Sequence, residues 1–256
     1  MGIALGLEDH PEEQMQSLCL WYPNEKNLLL IGLAGSGASE TLMMAVLQLA
    51  ETRQPDALHI YGIDYGANNI AQLAGLPHCE AIFGPAEIDQ RTELLDFLFD
   101  ELAKRQSEGS QILTILLIDN LGALLHALED ERDYRRIEKL TRLYLDGPSW
   151  GITTVIVAES LAAVPRKFFS AATMRLLFRV SDSSPYGAAD TDTSKFGFGR
   201  ALMTGGVATG ISGGISAGIS GGMASRGNTV VEVQTAVVSD FQKAIADIVR
   251  FCSKSS

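Results

Sequence analysis

Basic residues are scarce in this chain. Its 256 residues hold 20 Lys and Arg against 31 Asp and Glu, a formal net charge of −11. An acidic surface repels phosphate backbones, and no local run of Lys and Arg offsets it, so nucleic acid is disfavoured as a partner. Cysteine is sparse too. Cys19, Cys79 and Cys252 lie far apart with no Cys-x-x-Cys pair, which argues against a structural zinc site or disulfide framework and fits a reducing compartment. His10, His59, His78 and His126 are equally scattered, and no zincin spacing exists. Long hydrophobic runs are missing: a strictly aliphatic stretch such as Ile115–Ile118 has strand length, not membrane length. The opening MGIALGLEDHPEEQ is too acidic and too weakly apolar for a signal peptide.

What is present is a hydrophobic fraction of 46%, enough for one large domain with a sizeable core and incompatible with a wholly disordered chain. Apolar runs of strand length alternate with helical patterns. Strands are predicted at 27–31, 57–64, 112–119, 152–158, 174–180, 201–203 and 229–236. Helices are predicted at 40–53, 91–104, 129–145 and 240–252, the last opened by the capping pair Ser239 and Asp240. Continuous apolar strands alternating with helices specify an α/β domain whose mostly parallel sheet is covered on both faces. One stretch differs. From Gly206 the chain reads GVAT, GISG, GISA, GISG, GMAS, with a glycine every fourth residue. A G-x-x-x-G helix is one reading. Glycine costs about 1 kcal/mol per helical position relative to alanine, so a flexible Gly/Ile/Ser insertion over 204–227, bracketed by late strands, is the better one.

The chemistry gathers after the first predicted helix-linked strand. Gly32-Leu33-Ala34-Gly35-Ser36-Gly37-Ala38-Ser39 has glycines at positions one and six and a hydroxyl at eight, the spacing of a P-loop with one defect. Backbone N–H groups of such a loop cradle phosphates, a lysine meets the β- and γ-phosphates, and the hydroxyl ligates Mg²⁺. Here the lysine position is Ala38. From spacing alone, a degenerate P-loop and a ligand-free glycine turn both stand. Ile115-Leu116-Leu117-Ile118-Asp119 supplies a second element, an apolar strand ending in a carboxylate suited to hold Mg²⁺. The acid that polarises the attacking water is absent in turn, because Asn120 follows Asp119. The candidate nucleotide ligands are thus Gly32, Leu33, Ala34, Gly35, Ser36, Gly37, Ala38, Ser39 and Glu40, with Ser39 and Asp119 toward Mg²⁺. None of the seven lysines lies near the loop in sequence.

Several segments, in order, resemble the FtsK/SpoIIIE-type modules of type VII secretion ATPases (the EccC/EssC family). They are Leu5–Gln14, Ile63–Gly66 with Leu76-Pro77-His78, Gly151–Thr153, Arg175-Leu176, Gly199–Leu202 and Glu232–Gln234. The resemblance spans nearly the whole chain and implies a single RecA-like P-loop NTPase domain over 1–256. It also implies a late, C-terminal module that is cytoplasmic in a protein tethered to the membrane. Its implied partners are other ATPase modules of the same protein, assembly into a hexamer, and small helical WXG-type substrates read through their C-terminal signals. Ala38 and Asn120 depart from the motor pattern, so the expected role is substrate recruitment and regulation with weak ATP and Mg²⁺ binding and little or no hydrolysis. The alternatives are an active motor completed in an oligomer and a DNA translocase module, the latter disfavoured by the charge.

Other residues read as structural before functional. His78 is expected in the structure rather than in catalysis. Arg175, Arg179 and Arg200 are expected to be solvated or ion-paired rather than fingers reaching a neighbouring subunit. Trp21, Tyr22, Phe168 and Phe169 are expected to pack rather than line a peptide pocket. Glu159-Ser160 sits where RecA-like folds place a polar sensor.

Overall fold

The computed structural model describes residues 2–67, 69–109, 112–181, 192–204 and 230–255. The Gly/Ile/Ser insertion predicted over 204–227 lies outside the described residues beyond Thr204. Among the described residues ten strands form one sheet: β1 (Ile3–His10), β2 (Met15–Trp21), β3 (Leu28–Ile31), β4 (Leu58–Asp64), β5 (Cys79–Phe83), β6 (Leu113–Asp119), β7 (Ile152–Ala158), β8 (Met174–Leu177), β9 (Arg200–Thr204) and β10 (Val230–Thr235). Their spatial order is β2-β1-β10-β9-β8-β3-β7-β6-β4-β5. From β8 to β5 every pairing is parallel, and from β2 to β8 every pairing is antiparallel. The parallel half places the carboxyl ends of β3, β4, β6 and β7 along one edge, where open α/β sheets bind their ligands.

The buried character of the central strands explains why they were visible as runs rather than alternations. Every residue of β3, β6 and β7 is buried, because helices cover both faces. One face packs against α1 (Ala38–Thr52) and α6 (Phe241–Ser255), with Leu42, Val46, Leu49, Ile245 and Ile248 in its core. The other packs against α2 (Ile88–Glu108), α3 (Leu121–Asp130), α4 (Tyr134–Asp146) and α5 (Arg166–Ala171), through Leu95, Leu98, Leu124, Leu140 and Phe168. Each such side chain contributes about 1.5–3 kcal/mol by leaving water. Asn27 fastens the start of β3 between the layers: its side chain donates to the Tyr144 carbonyl at 2.5 Å and accepts from Thr154 N–H at 2.8 Å.

Two sequence expectations need correction. The helix expected over 129–145 starts later, as α4 from Tyr134, and its first two residues belong to the end of a separate helix, α3. α3 ends at Asp130, Arg132 takes a left-handed φ of 58°, and the Asp133 carboxylate accepts from Arg136 N–H at 3.3 Å as the cap that starts α4. A carboxylate bonding its local backbone in this way restarts a helix instead of continuing one. The strand expected over 174–180 stops at Leu177. The Asp240 cap takes its expected place, accepting from Lys243 N–H at 2.9 Å. The β1–β2 hairpin, β5, α3 and the short α5 carry weaker periodicity and were not expected; only Cys19 and Trp21 of β2 are buried. Among the described residues no helix is long and apolar enough to cross a membrane.

Candidate functional site

A cavity of about 460 Å³ opens at the carboxyl edge of the parallel strands. Gly32 enters it from the end of β3, Tyr65 from β4, Asn120 from β6 and Glu159 from β7. The glycine loop is tied to both neighbours of β3, with Gly32 N–H donating to the Ala158 carbonyl at 2.9 Å and Leu33 N–H to that of Arg179 at 3.0 Å. Behind the loop, Gly199 N–H donates to the Ser36 carbonyl at 2.9 Å, and Thr235 N–H and Oγ1 donate to the Gly199 carbonyl at 2.8 and 2.9 Å. The loop therefore rests on the antiparallel half of the sheet. Gly37 makes this contact possible: its φ is 103°, and a Cβ there would lie 2.7 Å from the Gly199 nitrogen.

Helix α1 begins directly after Gly37 without a side-chain cap. The N–H groups of Gly35, Ala38 and Ser39, all lining the cavity, donate to no acceptor among the described residues. Such a cluster, with the positive end of the helix dipole behind it, is an anion cradle. Across the cavity, Ser39 Oγ donates to Asp119 Oδ1 at 3.1 Å. Asp119 is only 2% exposed, and its Oδ2 is buried with no hydrogen-bond partner. Burial, then the Asp64 carboxylate beside it, push the Asp119 carboxyl up to about 6 against the pull of Ser39. A Cβ on Gly66 would lie 2.5 Å from the same Oδ2, so a larger residue there would force the carboxylate to shift. A hydroxyl, a buried carboxylate with an unused oxygen and a cluster of free N–H groups form a donor set that fits a Mg²⁺–polyphosphate pair.

The catalytic parts are a different matter. Asn120 stands at the acid position with a left-handed φ of 66°, and its Oδ1 accepts from Ala123 N–H at 3.1 Å, capping α3. Asparagine suits both tasks, since it tolerates left-handed backbone and caps helices. Asp64, beside Asp119 in register, accepts from Gly66 N–H at 3.0 Å and Ile70 N–H at 3.1 Å, one with each oxygen. It shapes the turn after β4.

Of the residues expected at the site, Gly32, Leu33, Ala34, Gly35, Ala38, Ser39, Glu40, Asp119 and Asn120 line the cavity; Ser36 and Gly37 do not, being buried behind the loop. Tyr65, Gly66, Ala67, Asn69 and Val157 line it as well and were not expected there. The only sequence signal for the first two was the Ile63–Gly66 segment. Glu159 lines the cavity from the sensor position, exposed. The other singled-out groups lie off the cavity. His78 is fully buried, bonds the Arg53 carbonyl through Nε2 at 2.8 Å, and is lowered by burial. Arg200 pairs with Glu232, and Arg175 stacks over Phe169 at 4.5 Å. Trp21 and Phe168 are core residues, whereas Tyr22 and Phe169 are half-buried.

A parallel sheet with a glycine loop and helix after one strand, and a carboxylate ending another, defines a RecA-like P-loop NTPase fold. The sequence profile described as the FtsK/SpoIIIE family matches residues 7–180, and the chain belongs to that family. It is 24% identical over 201 residues to the ESX secretion system protein EccC of Geobacillus thermodenitrificans (strain NG80-2), covering 72% of this chain and 13% of that protein. The chain therefore spans a small fraction of this relative's length. Among solved structures, EssC (ATPases 2 and 3) from Geobacillus thermodenitrificans aligns over 100% of this chain and 50% of that one, with a TM-score of 0.76 at 20% identity. Thermomonospora curvata EccC (ATPases 2 and 3), in complex with a signal sequence peptide, aligns over 99% and 47%, with a TM-score of 0.70 at 17% identity. These two establish the fold.

Proposed function

We propose that this chain is a late module of a type VII secretion ATPase that holds a magnesium–nucleotide weakly, turns it over little or not at all, and serves substrate recruitment and regulation. One observation carries the reading: the cavity keeps the backbone cradle and the Ser39–Asp119 pair, while Ala38 replaces the lysine and the Asn120 side chain is committed to capping α3. In this reading the N–H groups of Gly35, Ala38 and Ser39 hold the phosphates. Ser39 and Asp119 hold Mg²⁺, which when bound neutralises charge on the β- and γ-phosphates. A missing charge-assisted contact weakens binding by about 1.5–3 kcal/mol, or roughly 10- to 100-fold. A missing general base removes a further factor of ~10²–10⁴ in rate. Binding survives such losses better than turnover does. Recruitment rests on the family and on the signal-peptide complex of the Thermomonospora curvata relative. By the same analogy the partners are small helical WXG-type substrates and the other modules of a membrane-tethered, hexameric protein.

Calorimetric titration with Mg-ATP tests the nucleotide reading. The native chain should give saturable heat, and Asp119→Ala should bind at least about 10-fold more weakly, because it removes the cation's carboxylate. No heat from the native chain at millimolar nucleotide would contradict the reading and leave a docking domain that keeps only the ATPase fold.

A further inference from the structure

The cavity's charge is unusual for a phosphate site. Its charged lining groups are Glu40, Asp119 and Glu159, and no Lys, Arg or His lines it among the described residues. Arg179 contributes its carbonyl to the loop, but its side chain is not among the lining groups. Arg200, beyond the loop's backing turn, is paired with Glu232. Glu40 sits in the first turn of α1, at the end where the helix dipole would otherwise favour an anionic ligand, and its charge is felt at Asp119. Asp119 lines this space, and its Oδ2 is buried and unpartnered, an oxygen still free to ligate a cation.

Resting on the nucleotide reading, we infer that this cavity accepts a polyphosphate only as its divalent-cation complex. In an intact P-loop the lysine gives the phosphates a permanent counter-charge that needs no metal. Here the loop offers N–H dipoles alone, and three carboxylates face the ligand across a partly enclosed space where water screens them incompletely. A free triphosphate meets net repulsion. With a cation between Asp119, Ser39 and the phosphates, the nearest repulsion becomes attraction. Glu40 and Glu159 thus determine which form of the nucleotide enters, and cation availability gates occupancy.

The test is calorimetric titration of the whole chain with ATP and with ADP, in millimolar Mg²⁺ and in EDTA. Removing the cation should weaken binding at least about 100-fold, beyond detection in EDTA, because no side chain replaces its charge. Ala38→Lys should recover measurable binding in EDTA. Glu40→Gln, at a half-buried position that tolerates the change, should narrow the Mg²⁺-to-EDTA gap by about 3-fold or more. Native affinities within about 3-fold of each other in the two buffers would overturn the inference while leaving the nucleotide reading intact. A native chain silent in both buffers would overturn the nucleotide reading, and the inference with it.

Discussion

Mg-ATP is expected to bind Ala38→Lys at least about 10-fold more tightly than the native chain. Position 38 is the first residue of α1, is 4% exposed and lines the cavity, so a lysine there extends over the phosphate cradle. Its ammonium would supply one charge-assisted contact, worth about 1.5–3 kcal/mol. It would also offset one of the three carboxylates facing the ligand. The gain is read directly as a ratio of dissociation constants by calorimetry. Unchanged affinity in a folded variant would mean that the loop's N–H groups do not hold phosphate, and that the glycine turn is only structural.

Gly37→Val should lower stability by about 3 kcal/mol. Left-handed backbone costs an L-residue about 1–2 kcal/mol. The new Cβ would lie 2.7 Å from the Gly199 nitrogen, a backbone atom that cannot swing away. Overpacking of this kind adds about 1–3 kcal/mol. The displaced Gly199 also holds Ser36 and receives Thr235, so the strain spreads into β10. For a chain of this size the melting temperature should fall by roughly 6–12 °C. Gly35→Ala is the control: its φ of 70° is left-handed too, but nothing lies within 4 Å of a Cβ there. Equal losses in the two variants would mean that backbone strain alone is at work and that the Gly37–Gly199 contact contributes nothing.

The parts of the fold that were legible in sequence share a physical cause. Strands β3, β6 and β7 are buried on both faces, so their apolar runs are continuous and end sharply at Gly32, Asp119 and Ala158. Edge strands give no such signal. β2 alternates buried and exposed residues only at Cys19 and Trp21, and Met15 and Leu18 face solvent. The cradle and the Ser39–Asp119 pair were legible because each lies next to a recognisable strand end. Tyr65 and Gly66 were not legible as site residues, since only the sheet order, with β4 beside β6, brings them to Asp119. The meaning of Asn120 was half legible. Sequence exposed the missing acid, but the cap on α3 that occupies its side chain is a tertiary fact. Sequence also could not reveal that Glu40, Asp119 and Glu159, distant along the chain, line one cavity with no basic side chain among its described lining residues.

The cavity should bind nucleotide without turning it over, and phosphate release at saturating Mg-ATP tests this most directly. The rate is to be measured over a wide range of protein concentration, with Asp119→Ala beside the native chain. Both proteins should give the same background rate at every concentration. A native rate that climbs with concentration and vanishes in Asp119→Ala would contradict it, and would establish instead a motor completed by its neighbours.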